Sequence, residues 1–149
     1  MSETHKLLFR TMEENWRLAR QAEDKRATLA AISLIVISGL QSVFVFSGFN
    51  LKMLSLTLWM VSLGVYGIVA TTKLYERSQF HILRARKLRA RLDALCPDAQ
   101  EEDLQHIAEK EHQQRYPLLS RVRLNSIWIC FHSLIIVLGL FDTVVSILK

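Results

Sequence analysis

Three apolar runs, at residues 27–47, 51–72 and 124–148, alternate with segments dense in charge. No Lys or Arg lies deeper than the ends of any run. At a helical rise of about 1.5 Å per residue, a run of about 21 residues extends roughly 31 Å, the thickness of a bilayer's hydrocarbon core. A long buried helix of a soluble domain is the competing reading, but three such stretches in 149 residues leave too little polar chain to cover them. The expected fold is an all-α integral membrane protein: three transmembrane helices, a cytoplasmic helical hairpin and an N-terminal amphipathic helix. The first run is expected to stay in the mature protein rather than to be removed as a signal peptide, because the 26 residues ahead of it mix five acidic with six basic groups, too long and too mixed for an n-region.

The polar segments are patterned as helices too. Residues 73–123 contain no Gly, and Pro only at 97 and 117, so the prolines cut this connector into helix, turn, helix, turn. Leu74, Ser78, His81, Ala85, Leu88, Leu92 and Leu95 recur at alternating spacings of four and three, a coiled-coil seam that strengthens towards its end. The second span is expected to run straight into this stalk. After Pro97, Asp98 and Glu101 have the spacing of a helix cap, and the new helix is expected to end near Arg115. Its apolar content is thin, at Leu104, Ile107 and Ala108. Folded back as a hairpin, it brings Glu101, Glu102, Asp103 and Glu109 towards the cations Arg84, Arg86, Lys87, Arg89 and Arg91. Three readings fit that stretch: part of a solvated, charge-matched hairpin, a docking patch for a signal or anionic ligand, or a lipid-headgroup surface. Before residue 27, Leu8, Phe9, Met12, Trp16 and Ala19 share one face of an amphipathic helix.

Charge sets the orientation. Residues 1–26 hold six Lys/Arg and 73–123 hold eleven, against Lys52 and Lys149 elsewhere. By the positive-inside tendency, 1–26 and 73–123 face the cytoplasm and the C-terminus lies outside, in the cell inner membrane. The chain then divides into 1–26, a transmembrane hairpin at 27–72, the hairpin at 73–123 and a third span at 124–149. The net charge of +5 reflects juxtamembrane cations facing anionic lipid, so no nucleic acid polymer is expected as a partner. Cys96 and Cys130 form neither a C-x-x-C pair nor a disulfide framework.

The third run carries the chemistry. Asn125, Trp128, His132, Ile135, Gly139, Asp142 and Ser146 share the three-four spacing, so its polar groups lie on one stripe. Ionisable groups in lipid are costly and face protein or water. Three accounts fit: hydrogen bonds that join the helices of one chain, a water-filled path lined by the stripes of several chains, or a proton relay from His132 to Asp142. Depth matching pairs Asp142 with Gln41, each six residues from the outer end of its run, and sets His132 level with Tyr66 and Ser33. No G-x-S-x-G, glycine-rich phosphate loop or H-E-x-x-H occurs, so neither catalysis, a cofactor nor a metal is expected.

The stretch 16–28, WRLARQAEDKRAT, places the pair Asp24 and Lys25 directly before an Ala-rich span. It resembles the membrane entry of the Pycsar transmembrane effectors, and the tight membrane hairpin flanked by cytoplasmic helices is similar to the SLATT effectors that accompany nucleotide-second-messenger synthases. The chain differs at 24–26, adds a third span and carries no nucleotide-sensing domain that its sequence reveals. The resemblance implies a homo-oligomer in prokaryotic antiphage defence, quiet until a cyclic nucleotide or cytoplasmic protein rearranges its helices and the membrane becomes permeable. A non-conducting adaptor that recruits a cytoplasmic partner is the alternative, and a phage-type holin a third.

Overall fold

A computed structural model describes residues 3–95, 101–117 and 122–148, without the side chains of 101–106 and 109. Four α-helices make up nearly all of it: α1 (Glu3–Ser47), α2 (Leu54–Leu95), α3 (Glu101–Arg115) and α4 (Leu124–Leu148), with a short 3-10 helix at Leu51–Met53 before α2. No strand occurs among the described residues. Three helices are long and apolar enough to cross a membrane, α1, α2 with its leading 3-10 turn, and α4.

The amphipathic segment and the first apolar run form one helix. No proline interrupts residues 3–47, and the ion pairs Lys6–Glu3, Arg17–Glu14 and Arg26–Glu23 link successive turns. The helix stops at Gly48, whose φ of 72° lies in the left-handed region that side chains disfavour. Its N–H still bonds the Phe44 carbonyl at 2.9 Å. The Phe44 and Phe49 rings stack at 5.6 Å across the turn, and the Asn50 side chain accepts from the Lys52 N–H at 3.0 Å to start the next turn. This connector therefore needs only residues 48–50 to reverse the chain. The expected cap at Asp98 lies outside the described residues.

The chain packs as two compact units, Met1–Gln21 with Arg77–Leu124, and Ala22–Glu76 with Asn125–Lys149. In the first, the seam of α2 is buried at Ser78, His81, Ala85 and Leu92, half-buried at Leu88, and Leu95 is exposed. Its partner is α1, which presents Asn15 and Ala19. The Asn15 amide donates to the Thr11 carbonyl at 2.8 Å, which leaves its oxygen to accept from His81 Nδ1 at 3.1 Å. The Ser78 hydroxyl donates to the Ala19 carbonyl at 3.4 Å. Small and polar groups thus fill this contact where leucines fill most seams. Of the expected face of α1, Ala19 is buried, Leu8, Met12 and Trp16 are half-buried and Phe9 is exposed, while Asn15, beside that face, is buried as well. The described side chains of α3, Ile107 and Ala108 included, are exposed, as its thin apolar content dictates.

In the second unit α1, α2 and α4 enclose an apolar cluster of Ile37, Phe44, Met60 and Ile135, with Leu40, Leu63 and Leu138 against it. The outer faces are apolar as well, with Ile35, Val45, Phe46, Val69, Val137 and Leu148 all mostly exposed. An apolar exterior around a partly polar interior inverts the soluble pattern. Trp59 belongs to that exterior, at 70 % exposure.

Candidate functional site

Buried positions on each helix of the second unit repeat every three or four residues: Arg26, Ala30, Ser33, Ile37 and Phe44 on α1, Thr57, Met60, Gly64, Gly67 and Thr71 on α2, and His132, Ile135, Gly139, Asp142 and Ser146 on α4. The polar stripe of α4 therefore faces α1 and α2 of its own chain. Since α1 and α4 run in the same direction and α2 against them, residues at matching depth form layers across the unit.

The first layer centres on Arg26, which is 0 % exposed. Its guanidinium donates through Nη1 to both oxygens of Glu23 at 2.8 and 2.9 Å, and through Nη2 to Asn125 Oδ1 at 2.7 Å. The Tyr75 and Trp128 rings flank it at 5.3 and 5.8 Å. One side chain of α1 thus touches both other helices. The planar, weakly hydrated guanidinium suits this role, because it keeps five donors in one plane while its faces stack on aromatic rings.

Two turns deeper, His132 is fully buried, and neither ring nitrogen has a hydrogen-bond partner. Its ring occupies the space that a side chain at position 67 would need: a Cβ built on Gly67 lies 2.5 Å from Cε1 and 2.6 Å from Cγ of His132. Gly64 admits Ile136 and the His132 carbonyl in the same way, with the latter 3.0 Å from the site of a Cβ. Gly139 returns the arrangement from α4, where a Cβ would meet Val61 at 3.0 Å. Absent side chains on both helices let α2 and α4 approach closely. Tyr66, which depth matching sets beside His132, points outwards at 62 % exposure, and its neighbour Gly67 takes the inward position.

Beyond the Ile37 and Ile135 layer the polar groups resume. Gln41 Nε2 donates to Asp142 Oδ2 at 2.6 Å, the pair that depth matching brings together. Thr143 Oγ1 lies 2.9 Å from Thr57 Oγ1 and 2.7 Å from the Gly139 carbonyl, while Thr57 donates to the Leu54 carbonyl at 3.0 Å. Ser146 is buried one turn further on.

Of the other sequence candidates, Asp24 and Lys25 are exposed, and the buried residue of that motif is the adjacent Arg26. Its signal was the stripe position, seven residues from Ala19 and from Ser33, rather than its charge. On the first unit, Arg84, Arg86, Lys87 and Arg91 are exposed and Arg89 is half-buried. The side chains of Glu101, Glu102, Asp103 and Glu109 lie outside the described residues, as does Cys96. Cys130 is an exposed free thiol. Among the described residues no group of three or more His, Cys, Asp or Glu is placed to hold a metal ion. No family model, curated protein or solved structure matches the chain.

Proposed function

We propose that the protein is a homo-oligomeric effector of the cell inner membrane that makes the bilayer permeable when its cytoplasmic helices respond to a signal. The observation that carries this reading is the line of ionisable groups, Arg26, His132 and Asp142, buried inside a three-helix unit whose exterior is apolar. A passive anchor gains nothing from them. Buried polar groups cost about 1–3 kcal/mol each when unpartnered, and an apolar residue of His132's size avoids that cost. Ionisable groups kept at membrane depth mark ion or proton pathways.

In the compact state the stripe faces its own chain. Opening is a rearrangement in which α4 turns its stripe towards other copies. The polar contacts that oppose it are Arg26 with Asn125, Gln41 with Asp142 and Thr143 with Thr57. Interhelical bonds of this kind average about 0.6 kcal/mol and reach about 1.7. A trigger must supply about 5.5 kcal/mol of differential binding to reverse a 1:99 equilibrium, so contacts of this strength are within its reach. The proposed input is the cationic stretch of the stalk, Arg84, Arg86, Lys87, Arg89 and Arg91, taking a cyclic nucleotide or an acidic cytoplasmic protein. On this reading the stretch and α1's N-terminal half lie in the cytoplasm and the end of α4 outside, an orientation that the cation distribution supports. The resemblance of 16–28 to the Pycsar effectors, and of the hairpin layout to the SLATT effectors, supplies the proposed context, antiphage defence.

Leakage of ions or dye from vesicles carrying the purified protein, paired with its mass in detergent, tests the reading. Asp142→Leu is expected to assemble as the parent chain does and to lose leakage. Unchanged leakage rejects the pore-lining role. The adaptor reading draws on the exposed, polar surface of α3 and the stalk, and predicts a monomer or dimer that leaks nothing.

A further inference from the structure

We propose that water enters the three-helix unit from the Arg26 end as far as His132 and Ser33, and that the Ile37 and Ile135 layer stops it there. This polar half-channel rests on the reading of the unit as membrane-spanning, and it names what the proposed path holds while closed.

The argument begins with hydroxyls. Ser38, Ser42 and Ser62 are exposed on the apolar exterior, and each donates to the carbonyl four residues back, at 2.8 Å. That bond is the usual way for a serine to tolerate a helix in lipid, where nothing else accepts its proton. Ser33 and Thr71 have the same option and do not take it: both are fully buried, and neither hydroxyl has a partner. Within the three-helix unit they share this condition with Arg26 Nε, Trp128 Nε1, both ring nitrogens of His132 and, at the other end, Ser146 Oγ. Buried polar atoms without protein partners are ordinarily satisfied by internal water, and each costs about 1–3 kcal/mol if it is not.

All of these except Ser146 Oγ occupy one region. Trp128 lies against Arg26, and His132 follows Trp128 by four residues, one helical turn. Thr71 lies one turn from Gly67, which touches the His132 ring, and one turn from Tyr75, which touches Arg26. Ser33 is seven residues beyond Arg26, as His132 is seven beyond its partner Asn125. The polar rungs are thus spaced by about 5.4 Å, two hydrogen-bond lengths, which a file of single waters spans. The next layer offers water nothing, because Ile37, Ile135, Met60 and Leu63 are apolar. Beyond that layer Gln41 and Asp142 satisfy one another, Thr57 and Thr143 are hydrogen-bonded, and the Ser146 hydroxyl, one turn further on, is again without a partner.

Thiol accessibility tests the proposal without requiring the protein to leak. In a full-length background with Cys96→Ser and Cys130→Ser, the near-isosteric Ser33→Cys and Thr71→Cys are compared with Ile37→Cys in sealed vesicles of each orientation. Silver ion is added from one side, the chain is unfolded, and the remaining thiols are counted with a maleimide mass tag. Because only a hydrated thiol ionises and reacts, Ser33→Cys and Thr71→Cys are expected to be blocked about tenfold faster than Ile37→Cys, and only from the side bearing Arg26. Equal rates at the three positions, or faster blocking from the opposite side, overturn the half-channel. Thr71→Ala provides a check by a different readout: in vesicles in heavy water, the His132 ring N–H should exchange more slowly in this variant, and an unchanged rate also counts against the water file. Rapid blocking in a chain that never leaks leaves the half-channel standing and refutes the effector. Leakage with an unreactive Ser33→Cys does the reverse.

Discussion

Replacing Gly67 by alanine is the sharpest test of the α2–α4 contact. The added methyl lands 2.5 Å from His132 Cε1 and 2.6 Å from its Cγ. Carbon atoms settle at about 3.5–4.0 Å, so the ring or the helix must yield by roughly 1 Å. The ring has little room, being fully buried with the Phe131 ring 5.1 Å away on its own helix. Overpacking of this size costs about 1–3 kcal/mol. Alanine also returns up to about 1 kcal/mol of helix propensity, which partly offsets the clash. Gly39→Ala isolates that propensity, because a Cβ there meets nothing within 4 Å. Unfolding in bicelles is therefore expected to rank Gly67→Ala about 1–3 kcal/mol below Gly39→Ala. In the pair Gly67→Ala with His132→Ala the colliding ring is gone, and a coupling energy of about 1 kcal/mol or more should appear. If Gly67→Ala matches Gly39→Ala in stability, or if His132→Ala fails to relieve it, the close approach of α2 and α4 is wrong.

Three further outcomes follow from the same contacts. Arg26→Ala leaves Glu23 and Asn125 without their shared donor and is expected to cost about 1–3 kcal/mol in the same unfolding assay, with Arg26→Lys recovering only part because an ammonium cannot hold both partners and both rings. Gln41→Leu removes the donor to Asp142 and should lower stability by about 0.6–1.7 kcal/mol, whereas Gln41→Leu combined with Asp142→Leu should recover much of the loss. Asn15→Leu strips His81 of its acceptor, and limited proteolysis should then cut the first 20 residues several times faster, at a cost of about 1–3 kcal/mol in the first unit. Unaltered cleavage of that variant argues against the packing of α1 on the stalk.

Much of this architecture is written locally. Length and hydropathy of the three runs, the absence of helix breakers in 73–95 and the turn at Gly48 follow from short-range rules, and the long helices obey them. The three-four spacing on α4 likewise identified the face that is buried, and depth alone paired Gln41 with Asp142. Those inferences succeed because a helix converts sequence spacing into direction and distance.

What the spacing of one helix does not encode is which surface meets it. Arg26 has the same local character as Lys25, yet one is fully buried and the other exposed, because only Arg26 falls on the stripe that faces Tyr75, Asn125 and Trp128. Gly67 acquires its meaning from a ring 65 residues away, and Ser33 differs from Ser38 only in what lies opposite. The seam of the stalk pairs with Asn15 and Ala19 of α1, although Leu8, Phe9 and Met12 form the more apolar face. Secondary structure in this chain is settled by neighbours a turn away. Burial, pairing and the orphaned polar atoms depend on side chains brought together from three separate helices, and that is where the candidate chemistry resides.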